Sequence, residues 1–171
     1  MPEAERRIVL VRHAKAVPKD AAEDFERALA DRGRHDAPRA GEWLAQSGVA
    51  VDLALCSSAR RTRQTWQLML AHWPTPPPTR YDDRLYDADA DDLLDVVRES
   101  ADDLTGLLLV GHNPAIHQLA DGLCGGGPKD LVRVLRTSFP TSSVAVLTAT
   151  GAWRDIARES AHLAELWTPG H

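Results

Sequence analysis

The feature that most restricts the fold of this chain is an alternation of short apolar runs with segments that carry apolar residues at helical spacing. The runs have the length of buried strands, and the segments between them have the periodicity of helices that cover a sheet. The apolar runs are residues 8–11, 51–57, 106–112 and 142–150. Because strands that alternate with helices form a largely parallel sheet, the sequence predicts an α/β fold. We expect a three-layer sandwich with helices on both faces of a mostly parallel sheet.

The helical segments are delimited by typical end signals. The predicted helices comprise residues 39–47, 59–73, 89–100 and 114–124. Gly48 ends the first helix, and Pro114 occupies the first turn of the last one. Ser57 or Ser58 is a natural N-cap for the second helix. The last apolar run is expected to turn back into a short fifth strand around Trp153.

Length and composition favour a globular protein with a single domain over residues 1–171. Hydrophobic residues make up 43% of the chain and charged residues 26%, and the net charge of −5 argues against nucleic-acid binding. The apolar runs are too short to span a membrane, and the N-terminal residues lack the apolar region of a signal peptide. Cys56 and Cys124 lack metal-like spacing and are expected to be buried thiols. We therefore expect a cytoplasmic protein without membrane association.

Polar side chains follow three of the apolar runs, at the point where each predicted strand ends. Arg12 and His13 follow the first run, and His112 follows the third. Ser57 and an arginine cluster over residues 60–63 follow the second. Ligand sites of parallel sheets lie beyond the carboxyl ends of the strands, so these groups are expected to face one small volume. Two imidazoles and at least two guanidiniums in one place are typical of a phosphate site.

Each of these residues taken alone has a simpler structural interpretation. A single histidine after a strand is usually a surface or hydrogen-bonded residue, and an arginine cluster on a helix is usually a solvated face. The helical periodicity does not select among Arg60, Arg61 and Arg63. It is the recurrence of such groups at three strand ends that favours a shared site.

No metal site is predicted. The acidic stretch that begins at Asp87 resembles a calcium loop, but its sixth position is Asp92 rather than glycine and its twelfth is Arg98 rather than glutamate. His112 and His117 are five residues apart, which does not place them on a common helical face.

The motifs together resemble those of the histidine phosphatase superfamily, which has the phosphoglycerate-mutase-like fold. "LVRHAKA" is similar to the arginine–histidine signature of that superfamily, and "LLVGHNP" is similar to its second histidine motif, which selects His112. Ser57-x-x-x-Arg61-x-x-x-Thr65 resembles the second arginine motif, which selects Arg61 from its cluster. The resemblance covers nearly the whole chain. One residue departs from the pattern, because Ala14 stands where the superfamily usually has glycine.

The resemblance extends to a particular subgroup. About 50 residues separate Arg61 from His112, too few for the helical insertion that covers the site in larger members of the superfamily. With "RHAKA", "RLYDA" and "VGHNP", the chain therefore looks most like the small SixA-type phosphohistidine phosphatases, without a large lid insertion.

This resemblance implies a phosphatase that uses a histidine nucleophile and needs neither a metal nor a cofactor. His13 would attack phosphorus and form a phosphohistidine intermediate, which water then hydrolyses. Arg12, Arg61 and His112 would bind the non-bridging phosphate oxygens. Asp87, in "RLYDA", matches in spacing the acid that protonates the leaving group in many relatives. An ordinary loop carboxylate in front of a helix is an equally good interpretation of Asp87.

The substrate implied by the resemblance is phosphohistidine in a protein, so the expected partner is a phosphorylated protein domain or a small phosphorylated substrate. A small-metabolite phosphatase or mutase of the same superfamily is the alternative within the enzymes. A non-catalytic phosphoprotein-binding module is the alternative outside them, which Ala14 slightly favours and the complete set of two histidines and two arginines disfavours. A nucleic-acid contact through the arginine cluster is disfavoured by the acidic net charge.

Overall fold

The predicted apolar runs form the middle of a seven-stranded sheet. The computed structural model describes residues 3–170. The strands are β1 (Glu5–Arg12), β2 (Leu53–Ser57), β3 (Thr79–Asp82), β4 (Gly106–Gly111), β5 (Cys124–Gly126), β6 (Val144–Thr150) and β7 (Ala161–Trp167). Their order across the sheet is β3-β2-β4-β1-β6-β7-β5. Only β6 runs against the others, because it is antiparallel to β1 and β7 while every other pair is parallel. The predicted mostly parallel sheet is confirmed.

Helices cover both faces of this sheet. They are α1 (Asp31–Ser47), α2 (Arg60–Leu70), α3 (Ala90–Arg98), α4 (Ala115–Leu123) and α5 (Lys129–Thr137). Successive residues of a strand point to opposite faces, so each central strand contributes to two separate cores. Val9 and Val11 pack with α1 and α2, whereas Ile8 and Leu10 pack on the face that carries α3, α4 and α5. The predicted α/β sandwich is therefore confirmed.

Some local predictions were wrong. Trp153 lies in a 3₁₀ turn rather than a strand, and the chain pairs again only from Ala161 in β7. The N-cap of α2 is Ala59, because Ser57 still belongs to β2. The short strands β3 and β5 and the helix α5 were not predicted. β3 carries the sequence TRYD and lies at the edge of the sheet, where no second apolar face imposes a pattern.

Parallel register brings the strand ends together. Arg12 at the end of β1 lies opposite Gly111 at the end of β4, so His13 and His112 follow two adjacent strands at the same level. Cys56 of β2 lies opposite Val110 of β4, which places the start of α2 at the same edge. No helix in the described part of the chain is long and apolar enough to cross a membrane.

The helix α1 approaches the backbone of α2 closely at Gly41, and we expect this contact to be sensitive to an added methyl group. A Cβ at Gly41 would lie 2.8 Å or less from three backbone atoms of Met69 in α2. Gly41→Ala should therefore lower the free energy of unfolding by about 1–3 kcal/mol, the usual range for overpacking. Urea denaturation followed by circular dichroism measures this change.

Gly122→Ala is the matched control, because Gly122 lies in α4 with nothing within 4 Å of its added Cβ. That substitution should raise the free energy of unfolding by about 0.4–1 kcal/mol, since alanine restricts the unfolded chain. Equal effects of the two substitutions would contradict the role assigned to Gly41.

Candidate active site

The carboxyl ends of β1 and β4 and the start of α2 border a cavity of about 420 Å³ that is rich in positive charge. It is lined by five basic side chains, two histidines and one carboxylate among other residues. These groups are Arg12, Lys15, Lys19, Arg27, Arg61, His13, His112 and Asp24. The structure therefore brings together four of the five site residues named from the sequence, and Asp87 is not among the residues that line the cavity.

His13 lies at the floor of the cavity with 8% of its surface exposed. Its Nδ1 is 2.7 Å from the carbonyl oxygen of Ala14, which can only accept a hydrogen bond. Nδ1 therefore carries the proton, and Nε2 keeps a free lone pair. Burial lowers the pKa of His13 to about 3, partly opposed by the hydrogen bond to Ala14 and reinforced by His112, Arg12 and Arg61. The ring is neutral near pH 7 and able to act as a nucleophile.

His112 lies beside His13, with 5.3 Å between the ring centroids. Its Nε2 is 2.7 Å from the hydroxyl oxygen of Ser57, at the end of β2. Burial is the main reason that the pKa of His112 falls to about 4, and the positive charge of Arg61 adds to the effect. The other ring nitrogen, Nδ1, is buried and has no hydrogen-bond partner among the described residues. The ring itself lines the cavity, and one of its nitrogens has no partner among the described residues.

The two arginines that flank the histidines are each held at one end of the guanidinium. Arg12 donates from Nη1 to the carbonyl of Phe139 over 3.2 Å. Arg61, only 6% exposed, donates from Nη1 to the backbone carbonyl of Asp24 over 2.6 Å and from Nη2 to the Asp24 carboxylate over 3.1 Å. The Nε atoms of both arginines are buried without a partner in the described part of the chain. Both guanidiniums also line the cavity, where their positive charge attracts an anion.

Asp24 is the one carboxylate among the cavity residues that the sequence did not predict, which also include Lys15, Lys19 and Arg27. It begins a 3₁₀ turn (Asp24–Glu26) in a polar segment without clear periodicity, so no pattern distinguishes it from neighbouring acids. Its carboxylate accepts hydrogen bonds from Arg61, from Arg27 over 2.9 and 3.1 Å, and from the Tyr86 hydroxyl over 2.5 Å. The Tyr86 hydroxyl is the largest of the influences that hold the pKa of Asp24 well below its usual range. The cavity thus contains a fixed negative charge.

Asp87 lies outside this arrangement. It is exposed, in the turn between the 3₁₀ segment Asp83–Leu85 and α3. Its neighbour Tyr86 reaches the site instead, with its ring 5.7 Å from that of His112. A proton-donating role for Asp87 stays a prediction.

The position after His13 accepts alanine without strain. Ala14 does not have a positive φ, and its methyl group is fully buried in a small cluster with Leu29 and Ala37. The backbone N–H of Ala14 donates to the hydroxyl of Thr65 in α2 over 2.9 Å. Ala14, which departs from the superfamily pattern, is thus buried and bonded to α2, the helix that carries Arg61.

Sequence comparison relates the chain to one family. Residues 8–95 match the model described as the histidine phosphatase superfamily, branch 1. An uncharacterised protein of Mycobacterium leprae is 38% identical over 164 residues, which cover 93% of this chain and 99% of that protein. An uncharacterised protein of Mycobacterium tuberculosis is 41% identical over 148 residues, which cover 85% of this chain and 91% of that protein.

Solved structures agree with this result. A protein from Nakamurella multipartitia, provisionally named phosphohistidine phosphatase SixA, is 34% identical, with a TM-score of 0.85 over 99% of each chain. A protein from Agrobacterium tumefaciens with the same provisional name is 29% identical, with a TM-score of 0.80 over 99% of each chain. A phosphoglycerate mutase from Plasmodium falciparum is 15% identical and shares the fold, with a TM-score of 0.62 over 95% of this chain and 90% of that one. The predicted phosphoglycerate-mutase-like fold is confirmed.

The lowered pKa values of His13 and His112 predict that both rings stay neutral from about pH 8 to about pH 5, a range that includes the usual histidine pKa of about 6.5. A histidine whose folded pKa is depressed binds its proton only below that range. Ring resonances in NMR spectra, assigned with His13→Ala and His112→Ala variants, should not shift over this interval, whereas free histidine in the same buffer titrates. A midpoint between about pH 6 and 7 for either ring would contradict the assignment.

Proposed function

Since the chain belongs to the histidine phosphatase superfamily, we propose that it is a phosphatase that removes phosphate from phosphohistidine in a protein substrate, through a covalent intermediate on His13. The observation that carries this proposal is the state of His13. Its ring is buried and neutral, and the hydrogen bond to Ala14 leaves Nε2 free in a cavity lined by cations. A neutral nucleophile surrounded by phosphate-binding groups is the arrangement that phosphoryl transfer to histidine requires.

The first step transfers the phosphoryl group to His13. The Nε2 lone pair forms a bond to phosphorus, and the bond between phosphorus and the substrate's ring nitrogen breaks. The electron pair stays with the departing ring, whose other nitrogen carries a proton, so that the ring leaves as neutral imidazole. Water then attacks the phosphorus on His13, and the bond between phosphorus and Nε2 breaks. Inorganic phosphate leaves with the oxygen and both protons of the water, which restores the neutral ring. No oxidant, reductant or metal is consumed in either step.

The surrounding donors stabilise the charge that this transfer develops. Arg12, Arg61 and His112 all line the cavity, and a buried polar atom of each has no hydrogen-bond partner among the described residues. These atoms are Nε of Arg12, Nε of Arg61 and Nδ1 of His112. When the Ser57 hydroxyl donates to Nε2 of His112, Nδ1 carries the proton and becomes a donor as well. We assign phosphate binding to these three residues, and the preorganised donors lower the barrier to transfer.

An accessible cavity supports a substrate presented by another protein. Between α2 and β4 the chain forms only β3, a 3₁₀ turn and α3 among the described elements. The helix α3 packs with α4 on the sheet face opposite α1 and α2. The side chains of Lys15 and Lys19, which line the cavity, are exposed. The SixA-type structures that this chain resembles carry the name of a phosphohistidine phosphatase, which supports the same substrate class.

The proposal predicts a ranking of substrates. Phosphohistidine on a protein domain should be hydrolysed with a higher kcat/KM than a phosphoserine peptide or a sugar phosphate, with phosphate release measured in the presence of a strong chelator. His13→Ala should abolish turnover of all three, whereas His35→Ala, which changes an exposed histidine of α1, should not. The highest kcat/KM for the sugar phosphate would favour a metabolite phosphatase, and tight binding without turnover would favour a binding module.

A matched pair of arginines tests the phosphate site. Arg61 is buried in the cavity, whereas the adjacent Arg60 is exposed and does not line it. Arg61→Ala should lower kcat about 10²–10³-fold, the usual effect of removing one preorganised donor, and Arg60→Ala should lower it less than about twofold. Steady-state kinetics with an aryl phosphate measures both. Similar losses in the two variants would show that the effect comes from the helix rather than from the cavity.

A further inference from the structure

We propose that Asp24 is a specificity-determining residue, whose fixed negative charge at the mouth of the cavity favours N-phosphorylated imidazoles over phosphate esters. This inference rests on the proposed function, because it takes His13 as the nucleophile. It concerns the leaving group, whereas Arg12, Arg61 and His112 bind the phosphoryl group that all substrates share.

The position of Asp24 is the first argument. His13 is 8% exposed at the floor of the cavity, whereas the Asp24 side chain is 49% exposed. In an in-line displacement the leaving group departs on the side of phosphorus opposite the nucleophile. The leaving group therefore departs from phosphorus on the side away from His13, towards the mouth of the cavity, where Asp24 lies. Asp24 is the one carboxylate among the described residues that line this cavity.

The hydrogen bonds of Asp24 are the second argument. Arg27 donates to Oδ1 through two nitrogens, while Arg61 and the Tyr86 hydroxyl donate to Oδ2. A carboxylate that accepts hydrogen bonds from four donors, three of them on two guanidiniums, is held in its ionised form. Asp24 is thus a poor proton donor near pH 7 and acts as a fixed anion.

The chemistry of the two substrate classes makes this anion selective. A phosphorylated imidazole reacts when its second ring nitrogen is protonated, because the ring then departs as a neutral imidazole. A nearby carboxylate stabilises that cationic ring in the bound substrate. A phosphate ester instead expels an oxygen that gains negative charge in the transition state and needs a proton. An ionised Asp24 repels this charge and does not supply the proton.

Asp24 also holds Arg61, and that role alone would have a different consequence. Loss of the carboxylate would then disturb the binding of the phosphoryl group, which all substrates share. Every substrate would lose kcat/KM by the same factor. The ratio of kcat/KM for the two substrate classes therefore separates leaving-group selection from the support of Arg61.

The test compares phosphoimidazole with p-nitrophenyl phosphate, two small substrates that differ in the leaving group. In Asp24→Asn, kcat/KM for phosphoimidazole should fall at least about tenfold relative to that for p-nitrophenyl phosphate, the size expected for one charge–charge interaction at a half-exposed position. Glu26→Gln is the matched control, because Glu26 is an exposed acid of the same turn that does not line the cavity. Its ratio should equal that of the wild type.

Asp24→Ser removes the same charge with a smaller side chain and should give the same ratio, which keeps the test valid if the asparagine variant folds poorly. An unchanged ratio of the two kcat/KM values in both variants, which includes equal losses on both substrates, overturns the inference. Acid-labile phosphate trapped on His13 of the wild type with either substrate shows that His13 is the nucleophile, as the proposed function requires, independently of that outcome. Absence of this label with both substrates rejects the proposed function itself.

Discussion

Crowding of positive charge around a buried histidine is the constraint on which the rest of this site depends. Arg12, Arg61 and two imidazoles share one cavity, and burial removes much of the water that would screen them. The arrangement is sustained because His13 and His112 are neutral and because backbone carbonyls and the Asp24 carboxylate accept hydrogen bonds from the guanidiniums. An anion with several oxygens, such as phosphate, would complete the set of partners.

The sheet supplies the rigidity that holds these charges close together. β1, β2 and β4 are adjacent, parallel and buried on both faces, so their ends cannot move independently. The backbone at His13 is also fixed by a hydrogen bond. The main-chain carbonyl of His13 accepts this bond from the N–H of Ser142 over 3.1 Å, and Ser142 has a left-handed φ of 69°. Since such a backbone conformation is unfavourable for serine, the surrounding packing must impose it.

The two carboxylates near the site illustrate how environment rather than residue type decides a role. Asp24 is surrounded by donors and keeps its charge, whereas Asp87 is exposed in a turn outside the cavity. Acid chemistry at a mouth of this kind would need a carboxyl group whose proton is retained near pH 7. The hydrogen bonds to Asp24 instead keep its carboxyl group ionised. The proposed preference for an imidazole leaving group follows from this charge.

Much of the fold and part of the site followed from the sequence, because the relevant information is local. Buried apolar runs identified the four adjacent strands β2, β4, β1 and β6. Arg12 ends β1, and His13 and His112 directly follow β1 and β4 along the chain. Covalent connection to a strand end was enough to place them at one edge of the sheet. Periodicity did not distinguish Arg61 from its neighbours, and only the resemblance to a family selected it.

Tertiary structure alone decided the rest. Asp24 and Arg61 are 37 residues apart, and a short polar turn brings them into contact without any periodic pattern. The edge strand β3 was missed because its polar residues pair only when a sheet already exists beside it. The role of a carboxylate depends on which donors surround it, and those donors come from separate elements: Arg27 from the loop before α1, Arg61 from α2 and Tyr86 from the turn before α3. Folding brings these elements together, and no single segment of the sequence encodes that contact.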